Sequence, residues 1–305
     1  PAALRDVAQD KPAMPAPMTA TFGFDFNFCP RQKRRVPHNT AHQEPFKADY
    51  ERPRAEGVVM DRIALVTGAA GGLGRAVAAG LAADGWRLIV VSRDAARLAV
   101  AFGDRHLQIE ADCSTVAGVR QIFERAAAAG LLPTALAHCV GNIRLGSVHR
   151  MSEADFDDCL RANLVSAFHT LGGFIGALRE ARSPGAAVLV SSAAAQIGTP
   201  NHEAVAAAKA GVEGLVRGAA ASHAAAGIRV NGVAPGIMDT PATSAILGSA
   251  AGRDAAARQY PLPGIGSAEE LAQLMVWLLS EHAARVTGQV WAMDAGFTRI
   301  RPLVK

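Results

Sequence analysis

The chain is predicted to fold as an α/β domain built on a doubly wound parallel sheet with helices on both faces. Three observations predict this. From Met60 onward, short β-rich runs alternate with Ala-rich helical stretches. Most of these runs are nearly continuous apolar segments, the pattern of strands buried on both faces. A glycine-rich segment, Thr67-Gly68-Ala69-Ala70-Gly71-Gly72-Leu73-Gly74, follows the first run and opens a helix over Arg75–Ala83. In order, the runs are Ile63–Thr67, Arg87–Ser92, Leu107–Asp112, Ala135–Val140, Ala187–Ser191, Arg229–Val233 and Gln289–Met293. Helical segments between them supply right-handed crossovers. No second domain and no repeat is visible, so residues 60–305 read as one Rossmann-fold domain.

Residues 1–59 differ in kind. They are rich in Pro and charge and carry no hydrophobic period. The expectation is a disordered or non-native extension, with Met60 as the natural start. The run Arg31–Arg35 reads as a solvated charge run, with a polyanion patch as its alternative.

Bulk properties exclude several functions. Half of the 305 residues are hydrophobic, ample for a core, and the net charge of +4 is diffuse. With aromatics at 5%, a base-stacking nucleic-acid surface is not expected. Cys29, Cys113, Cys139 and Cys159 form no CxxC pair and no metal-ligand spacing with His, so free thiols and no metal are expected. No apolar run spans a bilayer and no secretory layout opens the chain. The expectation is a cytoplasmic protein without a membrane partner.

The glycine loop predicts a dinucleotide site. Gly68 permits the tight turn, Gly72 leaves room for a pyrophosphate, and Gly74 lets the helix pack on the strand. Free N–H groups and the helix dipole then favour phosphate. At the tip of the second strand, Val90-Val91-Ser92-Arg93-Asp94, Arg93 suits a ribose 2′-phosphate, which favours NADP. Asp94 keeps NAD open as the alternative, through its own carboxylate or by pairing with Arg93.

The spacing TGxxxGxG resembles the short-chain dehydrogenase/reductase family, and the resemblance covers about residues 61–297. It implies roles for further positions. Asp112 and Cys113 match the segment that touches the adenine, and Thr67, Gly68, Gly72, Leu73 and Gly74 the phosphate loop. Asn163 in Arg161-Ala162-Asn163-Leu164 looks like the helix asparagine that organises the active-site water. Ser192 matches the catalytic serine and Lys209 the catalytic lysine, which also contacts the nicotinamide ribose. Pro235, Gly236, Ile237 and Thr240 resemble the segment that holds the nicotinamide amide and the phosphates. Val286–Gln289 through Asp294–Gly296 resembles the closing strand.

Two departures stand out. The family's NNAG segment reads His138-Cys139-Val140-Gly141, with Gly141 kept so that the backbone still approaches the cofactor. The YxxxK motif reads Val205-Ala206-Ala207-Ala208-Lys209, so Val205 stands where the catalytic tyrosine belongs. The chain's two tyrosines are Tyr50, in the tail, and Tyr260, near the loop that usually covers the substrate. Losing a positioned acid/base costs about 100- to 10,000-fold in rate. His202 is a candidate replacement, since His202, Val205 and Lys209 fall at i, i+3 and i+7 of the expected helix. The competing reading makes Asn201 the helix cap and leaves His202 and Glu203 as exposed first-turn residues. Tyr260, or a water held by Asn163, Ser192 and Lys209, are the other candidate donors.

Two functions follow. The first is an NAD(P)-dependent oxidoreductase that exchanges hydride with a carbonyl, an alcohol or an activated enoyl compound, using a rearranged proton donor. The second is a cofactor-binding protein without turnover, a redox sensor or assembly partner. The apolar segment after Pro241 implies a modestly hydrophobic small-molecule substrate. Ala-rich helix faces near Asn163 and Lys209 imply a homodimer or homotetramer.

Overall fold

The computed structural model describes residues 62–301. The tail with Cys29, Arg31–Arg35 and Tyr50, and Met60 itself, lie outside the described residues. In chain order the elements are β1 (Ile63–Thr67), α1 (Gly72–Ala83), β2 (Arg87–Ser92), α2 (Ala95–Phe102), β3 (Leu107–Glu110), α3 (Val116–Ala128) and β4 (Ala135–His138). Then come α4 (Glu153–Leu160), a π-helical turn (Arg161–Val165), α5 (Ser166–Glu180), β5 (Gly185–Val190), α6 (Glu203–His223) and β6 (Ile228–Pro235). The chain continues through β7 (Met238–Asp239), α7 (Ser244–Leu247), α8 (Ala250–Ala257), β8 (Gly266–Ser267), α9 (Ala268–Leu279) and β9 (Val290–Met293).

The main sheet has seven strands in the order β3-β2-β1-β4-β5-β6-β9, all parallel. The order reverses between β1 and β4, and ligands of open α/β sheets bind at such a switch point, outside the carboxyl ends of the strands. Period-2 side-chain alternation explains the continuous apolar runs. Ile63 and Leu65 of β1 join Ile89, Ile109 and Leu136 in one core layer, with Phe174 of α5 and Val212 of α6. Ala64 and Val66 join Val90, Ala137 and Val188 in the other, with Val77 of α1 and Met275 of α9. Both faces are covered, so neither can be polar.

All seven expected strands form, the first two with the expected bounds and the other five with shifted ends. The third stops at Glu110 because Asp112 turns the chain, its Oδ1 accepting from Ser114 N at 2.9 Å. The fourth stops at His138, short of the expected Val140. The sixth runs on through Pro235, which pairs with Met293 of β9. Helix α1 begins at Gly72, three residues before the expected Arg75. A buried and a half-buried polar side chain fasten the far edge. Asn231 donates to the Val286 carbonyl and accepts from Gln289 N, while the Arg229 guanidinium bonds the carbonyls of Leu278, Leu279, Ser280 and Val286. Arg229 thereby satisfies carbonyls left open at the end of α9. Among the described residues no helix is long and apolar enough to cross a membrane.

The seat of α1 on β1 depends on Gly74, where a Cβ would collide with the Gly68 carbonyl and the backbone of Ala69. Backbone atoms cannot yield as a flexible side chain does. Gly74→Ala is expected to destabilise the fold by about 1–3 kcal/mol, read as a lowered urea midpoint, and an unchanged midpoint would show the helix free to shift.

Candidate active site

The glycine loop is shaped by close backbone approach. Gly68 has φ +67°, and a Cβ there would lie 2.7 Å from the Cys139 carbonyl oxygen at the exit of β4. Only glycine tolerates both the left-handed conformation and the contact. Gly72 faces Thr240, whose Cβ would lie 3.2 Å from a Cβ at Gly72. No side chain caps the first turn of α1 and no acidic residue stands in it. Its N–H groups therefore suit an anion. Thr67 is fully buried, Leu73 packs on the core and Gly74 is buried, so these three fix the loop's shape.

Beside the loop lies a cleft of about 250 Å³ at the carboxyl ends of β1 to β4. Gly68, Arg93, Asp112, Cys113 and Gly141 line it, as the sequence expects. Asp94 is turned to another task. It caps α2, its carboxylate accepting from Arg97 N at 2.9 Å. Arg97 and Arg161 are among the cleft residues that sequence reasoning missed; the Arg97 guanidinium reaches back 3.1 Å to the Ala70 carbonyl in the glycine loop. The available signal for Arg97 was its i+4 spacing from Arg93, which puts a second cation over the same cleft.

A buried hydrogen-bond chain joins this loop to the second half of the site. Thr67 Oγ1 lies 2.8 Å from His138 Nδ1, His138 Nε2 lies 3.1 Å from Ser166 Oγ, and Ser166 Oγ donates to the Ala162 carbonyl at 2.7 Å. Ser166 has one hydroxyl proton and gives it to Ala162. His138 must therefore carry its proton on Nε2 and accept from Thr67 at Nδ1. Burial, with a smaller contribution from the Lys209 ammonium, pushes the His138 imidazole down to about 3. Ala162 belongs to the π-helical turn. The backbone N–H of Ser166 bonds Arg161 there, and the side chain of Ser166 takes up the Ala162 carbonyl.

That turn presents Asn163, which is 1% exposed. Its amide nitrogen donates to Asn142 and to the Cys159 carbonyl, while Oδ1 is buried without a partner. Lys209 is 7% exposed, and its Nζ donates to the Val190 carbonyl at 2.8 Å. Both groups crowd Gly141: a Cβ there would lie 2.6 Å from Asn163 Oδ1 and 3.3 Å from Lys209 Nζ. Burial brings the Lys209 ammonium down to about 8. Burial also pushes the thiols up, Cys113 to about 11 and Cys139 to about 12, with Cys159 raised as well, so all three stay protonated at neutral pH.

A second pocket of about 200 Å³ opens beside this cluster. It brings together Ser192, His202, Val205, Pro235, Gly236 and Ile237, with Tyr260 on its wall. Ser192 Oγ accepts from Ala194 N at 3.2 Å, which leaves its proton free to donate. His202 is itself the residue preceding α6, and Asn201, at φ +62°, is not the cap. His202 Nδ1 lies 2.8 Å from the Pro200 carbonyl, which can only accept. Nδ1 therefore holds the proton, and Nε2 of the neutral ring is the bare nitrogen. The Tyr260 hydroxyl accepts from Ile237 N at 2.7 Å, and burial pushes its phenol up. Among the described residues no group of three or more His, Cys, Asp or Glu side chains is arranged to hold a metal.

The arrangement fits a nicotinamide dinucleotide in its parts. It has a glycine cradle that a Cβ would block, an uncapped helix start, arginines Arg93, Arg97 and Arg161 lining the cleft, and a buried ammonium beside Gly141. Comparison with known proteins agrees. A family model described as enoyl-(acyl carrier protein) reductase matches residues 68–298. The cis-4-hydroxycyclohexanecarboxylate dehydrogenase of Sinomonas cyclohexanicum is 35% identical over 248 residues, covering 79% of this chain and 98% of that protein. The 3-oxoacyl-[acyl-carrier-protein] reductase of Staphylococcus epidermidis is 30% identical, covering 78% and 99%. Among solved structures, a putative gluconate dehydrogenase from Agrobacterium tumefaciens superposes with a TM-score of 0.75 at 26% identity, covering 79% of this chain and 97% of that one.

His138 makes stability depend on pH. An unfolded chain takes up a proton there near 6.5, whereas the folded site resists until about 3. The stabilisation is complete above 6.5 and is lost as pH falls toward 3, by up to about 1.4 kcal/mol per pH unit. Urea melts at pH 7 and pH 5 are expected to differ by about 2 kcal/mol more in the wild type than in His138→Asn; equal differences would mean the imidazole titrates freely in the fold.

Proposed function

The chain belongs to the short-chain dehydrogenase/reductase family of oxidoreductases, and from that premise we propose that it is an NADP-dependent enzyme interconverting a small secondary alcohol and its ketone, with His202 as the proton exchanger. The observation that carries this reading is the fixed tautomer of His202, in the pocket that also holds Ser192 and Val205. The pocket volume of about 200 Å³ and its apolar wall of Ile143, Ile246 and Phe297 suit a compound of about one ring. One relative is named for a hydroxycyclohexane carboxylate, a substrate of that size.

In this mechanism the bound cofactor supplies or takes the hydride at the substrate carbon. Ser192 donates a hydrogen bond from its free hydroxyl to the substrate oxygen and so orients it. His202, anchored through Nδ1–H on Pro200, takes the alcohol proton on Nε2 during oxidation and returns it to the ketone oxygen during reduction. Lys209 directs its remaining N–H donors to the nicotinamide ribose, beside Asn163. Ile237 N–H holds the nicotinamide amide, with Pro235, Gly236 and Thr240 shaping that segment. Asp112 and Cys113 border the adenine. Arg93 and Arg97 hold the ribose 2′-phosphate, with Asp94 removed from competition by its capping bond.

Four measurements test this. NADPH is expected to bind with micromolar Kd by nicotinamide fluorescence, more tightly than NADH. Arg97→Ala should weaken NADPH about tenfold, as expected for one charge-assisted hydrogen bond, and leave NADH unchanged; equal losses for both cofactors would remove Arg97 from 2′-phosphate recognition. In a screen of cyclic alcohols and ketones, His202→Ala should lower kcat by about 100-fold or more, and an unchanged rate would dismiss His202. Val205→Tyr should raise carbonyl reduction. Tight NADPH binding with no turnover in either protein would assign the chain to the cofactor-binding role without chemistry.

A further inference from the structure

Tyr260 is the one tyrosine among the described residues. Its ring has neighbours on two sides. It stacks on Phe297 with centroids 5.1 Å apart, and it lies so near Gly236 that a Cβ there would come within 2.8 Å of its Cε1. The hydroxyl accepts the Ile237 N–H at 2.7 Å, a short and well-formed bond. The phenolic proton has no acceptor among the described residues, although the group is half-buried and lines the same pocket as Ser192, His202 and Val205.

Ile237 N–H is thus already occupied. One backbone N–H makes one good linear hydrogen bond. Two oxygens cannot both hold it at full strength.

We propose that the Tyr260 hydroxyl is an internal competitor for the Ile237 amide: it holds that N–H in the cofactor-free chain, yields it to the nicotinamide carboxamide, and then turns toward the pocket as a hydrogen-bond donor to the substrate. The inference rests on the reading that Ile237 serves the cofactor. It gives Gly236 a purpose the glycine loop does not share, since any side chain there would block the ring. Breaking a neutral hydrogen bond opposes cofactor binding by a factor of about three to ten.

The experiment uses the full chain labelled with 15N-isoleucine, with the Ile237 amide resonance identified by its loss in Ile237→Val. Without cofactor, Tyr260→Phe should move the Ile237 resonance. Saturating NADPH should bring the wild-type and variant resonances to the same position. By fluorescence titration, Tyr260→Phe should bind NADPH about three- to tenfold more tightly than the wild type. NADPH that binds the wild type but leaves the Ile237 resonance in place overturns the proposal, and so does equal affinity of a folded Tyr260→Phe. A flat NADPH titration of the wild type overturns the cofactor reading, a different result from binding without movement at Ile237. If Tyr260→Phe fails to fold, the response of the wild-type resonance to NADPH decides alone.

Discussion

The site depends on the one-way hydrogen-bond chain from Thr67 through His138 and Ser166 to Ala162. Its direction is forced. Ser166 has one proton and Ala162 can only accept, so His138 donates from Nε2 and receives at Nδ1. The chain starts on β1, where the glycine loop begins, and ends on the π-helical turn that presents Asn163. Both halves of the candidate site are thus referred to one buried imidazole. A protonated imidazole would have a donor at Nδ1 facing Thr67, in a place burial keeps dry. The low proton affinity of His138 and the rigidity of the site are therefore two consequences of the same burial.

Much of this architecture was legible in the sequence because it follows from burial. A strand covered on both faces must be apolar at every position, and Leu65, Val66, Ile89 and Val90 carry that requirement openly. The glycine loop was legible for steric reasons, as Gly68 and Gly74 meet backbone that no side chain clears. What stayed hidden was decided by hydrogen bonds between distant residues. Asp94 read equally well as a ribose ligand or a partner of Arg93, and its capping of Arg97 N is settled only once α2 exists. His138 read as a mere departure from an asparagine, because its partners lie 71 and 28 residues away. The cap of α6 was misplaced by one residue, since the positive φ of Asn201 is a property of the turn it closes.

The same distinction bears on how Val205 closes the pocket. Val205 is 5% exposed and packs with Cys159, Ala204 and Ala208, so it walls the pocket with aliphatic surface and offers no proton. The polar groups that remain around the pocket, Ser192, His202 and Tyr260, each keep one hydrogen-bonding function unsatisfied by protein. Their fixed ends are Ala194 N, the Pro200 carbonyl and Ile237 N. Three groups tethered at one end and open at the other are suited to a ligand, because tethering reduces the entropy lost on binding.

Lys209 carries the argument one step further. A buried ammonium without a counter-ion is costly, and among the described residues no carboxylate pairs with it. The nearby thiols stay protonated and bring no charge. Its protein partner is the Val190 carbonyl, one acceptor for three N–H groups. Asn163 Oδ1, also without a partner, crowds the same glycine. A donor in excess and an acceptor in excess, held side by side yet apart, describe a place prepared for a hydroxyl or a water that gives one hydrogen bond and takes another. The fold therefore carries the cost of burying this ammonium. Any group that binds only the folded site and accepts from Lys209 would offset that cost, which would tie the stability of the fold to its occupancy.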